Sequence, residues 1–201
     1  MAIRSLKNGT FSRSLLIGNE FYVPPSFNLI QTYTVGAGGA ANVQFNSIPS
    51  GYSHLQIRGI YSSTHSSNYG LSSCVMQFNS DTGSNYRFHY IQATGAAVNA
   101  GDSGATSYAY VTLAQNQTYA ANVFSGFVVD ILDYSNTNKY KTVRALGGYD
   151  NNGYSNYPGY IMYDSSLWTN TNAISSILLK SDQGAASIEQ YSRFSLYGIS
   201  E

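Results

Sequence analysis

The stretch Asn122-Val123-Phe124-Ser125-Gly126-Phe127-Val128-Val129-Asp130-Ile131-Leu132 decides the fold class. Drawn as an extended chain its centre is apolar on both faces, the pattern of a strand in the middle of a sandwich. The turn Tyr134-Ser135-Asn136-Thr137-Asn138 follows, and Tyr140 to Leu146 reads as the strand that returns beside it. Working outward, the same alternation of strands and turns recurs. Leu29 to Val35 is β-rich and stops at Gly36-Ala37-Gly38-Gly39, which reads as a hairpin loop. Val43 and Phe45 alternate ahead of the turn Pro49-Ser50-Gly51-Tyr52. Leu55, Ile57 and Gly59 share one face of the next strand, with Gln56 and Arg58 on the other. Ser73–Asn79 and Asn85–Gln92 flank Asp81-Thr82-Gly83 as a hairpin. Strands also read over Ser107–Leu113, Tyr160–Tyr163, Ile174–Lys180 and Arg193–Ile199.

Asn, Ser, Gly and Thr are too frequent for long helices, and no amphipathic helix of three turns can be drawn. The expectation is an all-β protein: a jelly-roll-like antiparallel β-sandwich over residues 28–201, with an extended N-terminal arm over residues 1–27. Ser62–Leu71, Thr94–Thr106 and Gly147–Gly159 read as long loops that together line one end of the sandwich.

Composition narrows the function classes. Of the 201 residues only 10% are charged, against about a quarter in an ordinary soluble domain. Ten basic and ten acidic side chains leave a formal net charge of zero, so little repulsion keeps copies apart. Polarity comes from Ser, Thr, Asn, Gln and 19 tyrosines. Tyr offers rigid contact area with a polar tip, which suits permanent protein contacts or sugar binding. A nucleic-acid partner is excluded, because it requires a basic stripe. No apolar run approaches the ~20 residues of a membrane-spanning helix, so no membrane partner is expected. The start, with charges scattered around Leu15-Leu16-Ile17, does not read as a signal peptide, and synthesis in a cytoplasm is expected. Cys74 alone supports neither an intrachain disulfide nor a Cys-based zinc site, and its neighbours read as a buried strand.

Residues 1–27 differ from the rest. Arg4, Lys7 and Arg13 stand against Glu20, and the segment closes on Pro24-Pro25. Leu6, Phe11, Leu15, Leu16, Ile17 and Phe21 are too many apolar side chains for a solvated tail. They read as an arm that finds its partner on a neighbouring subunit or another protein; the alternative is an element packed on its own domain.

No catalytic, cofactor or metal site is expected. Asp81-Thr82-Gly83-Ser84 matches the turn of aspartic proteases, but it lacks the apolar strand that buries their carboxylate and reads as a tight turn. Asp130 and Asp133 fall on opposite faces of a strand, and Arg144 is a candidate ion-pair partner for Asp130. His54, His65 and His89 share no ligand spacing. What remains is aromatic: Tyr149, Tyr154, Tyr157, Tyr160, Tyr163 and Trp168 crowd a segment broken by Asn151-Asn152-Gly153 and Pro158-Gly159. Such a surface stacks on sugar rings or forms a protein contact; the same residues equally suit a core.

Ser5-Leu6-Lys7-Asn8-Gly9-Thr10-Phe11-Ser12-Arg13-Ser14-Leu15-Leu16-Ile17-Gly18-Asn19 resembles the start of small virion structural proteins of tailed phages of aquatic bacteria. Ser192-Arg193-Phe194-Ser195-Leu196-Tyr197-Gly198-Ile199, after Trp168 and Ile174-Ser175-Ser176-Ile177-Leu178-Leu179, resembles a closing strand of phage tail-fibre and decoration-type proteins. Val129-Asp130-Ile131-Leu132-Asp133-Tyr134 with Lys139-Tyr140-Lys141-Thr142 looks like the same set. One departure is Glu189-Gln190-Tyr191, where that pattern has a Gly-Ser or Gly-Thr turn. The resemblance implies a non-enzymatic virion protein without cofactors. It points to a capsid decoration (cement) protein, a homotrimer clipped to the shell by its arm, or to a tail or fibre component that binds host-surface glycans.

Overall fold

The computed structural model describes residues 15–17, 20–22, 26–65, 71–115, 120–151, 159–184 and 186–200. At its centre is the deciding stretch, as strand β10 (Ser125–Leu132). In chain order the strands are β1 (Leu15–Ile17), β2 (Glu20–Tyr22), β3 (Phe27–Thr34), β4 (Asn42–Phe45), β5 (His54–Tyr61), β6 (Leu71–Phe78) and β7 (Tyr86–Ala93). After them come β8 (Val98–Thr106), β9 (Ala109–Gln115), β10, β11 (Lys141–Asp150), β12 (Gly159–Trp168), β13 (Ile177–Ser181) and β14 (Arg193–Ile199). No helix occurs among the described residues.

The fold is all-β, with two antiparallel sheets facing one another. One has eight strands in the order β3-β14-β5-β10-β11-β12-β7-β8; the other has four, β4-β13-β6-β9. β10 lies between β5 and β11, in register Asp130↔Arg144 and Asp130↔Gln56. Its two faces are not equivalent, contrary to the sequence expectation. Phe127, Val129 and Ile131 are buried between the sheets, whereas Val128 and Asp130 look outward and are only partly covered. A jelly roll is a finer statement than these strand orders establish.

One core fills the space between the sheets. The larger sheet supplies Leu55, Ile57, Phe127, Val129, Ile131, Val143, Trp168, Phe194 and Leu196; the smaller supplies Val43, Phe45, Met76, Phe78, Val111, Ile177 and Leu179. Burying each large aliphatic or aromatic side chain contributes about 1.5–3 kcal/mol, which makes this the main stabilising term. Where β11 crosses β9 the sheets come so close that a Cβ on Gly147 would stand 2.3 Å from the Thr112 hydroxyl. Glycine there sets the spacing.

Three connections differ from expectation. Asp81-Thr82-Gly83 does not close a hairpin, because β6 and β7 lie in different sheets. The tight turn sits just before it, at Asn79 and Ser80 (φ 50 and 58), closed by the Asp81 N–H on the Phe78 carbonyl at 2.8 Å. Gly36–Gly39 likewise carries the chain from one sheet to the other. Thr94–Thr106 is no loop: after a short turn it forms β8, an edge strand paired with β7. Its residues are small and polar, so the ladder rather than side-chain burial holds it. Near the other terminus β1 and β2 pair antiparallel (Leu15↔Tyr22, Leu16↔Phe21, Ile17↔Glu20), so this part of the expected arm is a two-stranded ladder rather than one extended run.

Lys141 pins the β10–β11 turn. Its side chain is buried, and its Nζ donates to the carbonyls of Asn136 (2.6 Å), Lys139 (3.0 Å) and Thr171 (3.0 Å). Burial, with Lys139 nearby, lowers its pKa. Lys141→Met keeps the stem and orphans three carbonyls. It is expected to lower unfolding free energy by about 2–4 kcal/mol, read as a reduced urea midpoint at unchanged slope.

Candidate functional site

Two surfaces remain for function once the core is assigned. The first is a hollow at one end of the sandwich. Tyr149 and Tyr160 are cross-strand partners at the ends of β11 and β12, their ring centroids 5.9 Å apart and tilted by 32°. With the β7–β8 turn (Ala93 to Ala96), Asp150, Gly159 and Ile161 they line an open, mostly apolar hollow of about 450 Å³. Just past the end of β11, Asn151 Nδ2 donates to Gln115 Oε1. Tyr154 and Tyr157 lie outside the described residues.

The second surface is the outer face of the eight-stranded sheet. Alternation along β5, β7, β11 and β12 sends Ile60, Ile91, Leu146, Ile161 and Tyr163 outward, exposed by 42%, 49%, 48%, 66% and 40%. Ladder register makes one run of most of them: Val128 opposite Leu146, Leu146 opposite Tyr163, Tyr163 opposite Ile91, with Ile60 set apart across Gly126 and Gly148. Further along the face, the Arg58 guanidinium lies over the rings of Phe27 (5.3 Å) and Tyr197 (5.7 Å).

The sequence grouping of aromatics therefore divides. Tyr149 and Tyr160 form the hollow, Tyr163 belongs to the outer face, and Trp168 is no surface residue. It is 1% exposed, with its ring 5.4 Å from Phe78 and 6.3 Å from Tyr86. Alternation is the reason: Trp168 has the parity of buried Met162, and that parity faces the other sheet. Of the arm residues, Leu15, Leu16, Ile17 and Phe21 fall in the β1–β2 ladder. Arg4, Leu6, Lys7, Phe11 and Arg13 lie outside the described residues.

Asp81 has a structural role. Its carboxylate accepts from Trp168 Nε1 at 2.7 Å, from Asn85 Nδ2 and from the Gly83 N–H at 2.9 Å. Desolvation pulls its pKa up, but the bonds from Trp168, Asn85 and Gly83 outweigh that and hold it below the ordinary value. Both carboxylate oxygens are thereby engaged within the chain. Asp130 accepts from Gln56 Nε2 at 2.6 Å. The expected pair with Arg144 is a cross-strand neighbour, but no ion pair joins the two among the described residues. The Asp133 carboxylate pairs with Lys139, which leads in lowering its pKa, and the Asp133 backbone N–H donates to His54 Nδ1 at 2.9 Å. Among the described residues no three His, Cys, Asp or Glu side chains cluster as metal ligands.

Sequence reading missed Asp164. It is 1% exposed between the sheets, accepts from the Ser166 hydroxyl at 2.5 Å, and its Oδ2 has no hydrogen-bond partner among the described residues. Burial pushes its pKa up to about 7, against the Ser166 bond. The signal was present, since Asp164 shares the inward parity of Met162 and Trp168. Comparison of the chain with protein-family models, with curated proteins and with solved structures finds no match.

Proposed function

We propose that this protein is a non-enzymatic component of a larger assembly, and within that class a phage capsid decoration protein. The observation that carries the assembly reading is the outer face of the eight-stranded sheet. It exposes Leu146, Ile161, Tyr163 and Ile91 side by side on a chain of zero net charge. Contiguous apolar surface of that extent marks a contact with protein. The resemblance of both chain ends to virion proteins narrows the class, with residues 1–27 as the anchor on the shell.

The anchor works by burying its apolar side chains in the shell lattice while Arg4, Lys7 and Arg13 meet acidic surface. At about 25 cal/mol per Å², a few hundred Å² of apolar contact per copy supplies several kcal/mol before ordering costs. Deleting residues 1–25, which leaves β3 whole, is expected to weaken binding to purified shells at least ~100-fold, measured by co-sedimentation. Undiminished binding would overturn the anchor. The tyrosine hollow favours a second reading, a tail or fibre protein that stacks host-surface sugars on Tyr160, with buried Tyr149 packed behind it. Saturable binding to host cells that survives the deletion and is lost in Tyr160→Ala would establish that reading instead.

A further inference from the structure

We propose that the outer face of the eight-stranded sheet is the contact between two copies of this chain, related by a two-fold axis along the strands between β10 and β11. The inference rests on the assembly reading above but not on the shell.

The first argument is the match of the face to itself. The sheet order has four strands on each side of the line between β10 and β11. A two-fold along that line lays β10 of one copy over β11 of the other and β5 over β12, and conversely. Register then fixes what meets what. Asp130 and Arg144 stand at the same height on either side of the line, so each Asp130 faces the second copy's arginine at that position, and each Arg144 faces its aspartate. One turn of the pleat further, Val128 meets Leu146. Next to them Ile60, whose row runs through Gly126 and Gly148 to Ile161, meets Ile161. The glycines of this row meet the glycines of the facing copy, so the hollow of about 550 Å³ at the line, walled by Val128, Leu146 and Ile161, is shared by the two copies. In an isologous contact every pairing recurs in both directions, and the charged pair and the apolar pairs here do so.

Charge makes the second argument. Within the chain, Asp130 is oriented by Gln56 and no ion pair joins it to Arg144 among the described residues. Both charges stay available to the facing copy, where they fix alignment more than affinity. Size makes the third. Eight strands about 4.8 Å apart and about 27 Å long give a face of roughly 900 Å², against about 800 Å² per partner in a stable interface. Sheets facing at about 10 Å stay within about 30° of alignment, so the pairs nearest the axis remain in contact. The proposed pair is two-fold, where the sequence reading expects a trimer.

The test is sedimentation equilibrium of the purified full chain. Wild type is expected at twice the chain mass. Asp130→Arg or Arg144→Asp alone should weaken pairing at least ~100-fold, since the two-fold doubles each like-charge clash. The combined Asp130→Arg, Arg144→Asp swap should recover it to within ~10-fold. Leu146→Lys, at an exposed position that the fold does not use, should also give monomer, with an unchanged circular dichroism spectrum. A monomeric or trimeric wild type, or a swap that fails to recover pairing, would overturn the proposal. Shell binding by the deletion above is measured separately, so either reading can fail without the other.

Discussion

Asp164→Asn is expected to stabilise the protein by about 4 kcal/mol at pH 8 and to leave it nearly unchanged below pH 4. In the unfolded chain this carboxyl ionises near 3.8; in the fold it ionises near 7, because burial disfavours the charged form more than the Ser166 bond favours it. Between those values the folded state holds a proton that the unfolded state has lost. Stability is therefore fully present below about pH 4, falls as pH climbs towards 7, and is level above that. A rise from 3.8 to about 7 corresponds to ~4 kcal/mol. Asn has the same shape and no charge to desolvate, so the variant should lack this slope. Urea unfolding of both proteins at several pH values reads the difference directly. A constant difference across pH 4–8 would show that Asp164 is ionised in the fold at no cost. Asp81 acts in the opposite sense: its lowered pKa supplies stability that is present above 3.8 and lost as pH falls through its folded value.

The class of the fold was legible because strands declare themselves by alternation. Phe127, Val129 and Ile131 mark β10, and Leu55 and Ile57 mark β5; both are buried as read. What alternation does not carry is which sheet a strand joins. Ser73–Asn79 and Asn85–Gln92 are separated by few residues and look like a hairpin, yet their ladders are made with β9, β13, β12 and β8. Positive φ at Asn79 and Ser80 turns the chain from one sheet into the other. β8 was invisible for a different reason. Val98-Asn99-Ala100-Gly101-Asp102-Ser103 has the composition of a loop, and only β7 beside it makes it a strand. Of the two candidate surfaces, the tyrosine cluster was visible as composition. The outer face was not, because its residues Ile60, Ile91, Leu146 and Ile161 are scattered over four strands and meet only through register.

The same limit produced the misplacement of Trp168, and its correction carries the last prediction. Counted along the sequence, Trp168 belongs with Tyr160 and Tyr163; counted by twos along β12, it belongs with Met162 and Asp164 in the interior. Trp168→Ala is expected to lower unfolding free energy by about 3–5 kcal/mol, the range for emptying a buried aromatic site. Tyr163→Ala, on the outer face of the same strand, should change it by less than about 1 kcal/mol in the monomer. Trp168→Phe separates the ring from its N–H. The stack on Phe78 and Tyr86 survives in part, but Asp81 loses the donor at 2.7 Å. In a double-mutant cycle with Asp81→Asn, that bond should appear as a coupling of about 1–2 kcal/mol. The coupling should fade as pH falls through the lowered pKa of Asp81 and the carboxylate protonates. No coupling, with an unchanged urea midpoint in Trp168→Ala, is the outcome required of an exposed sugar-stacking tryptophan, and it is incompatible with the core described here.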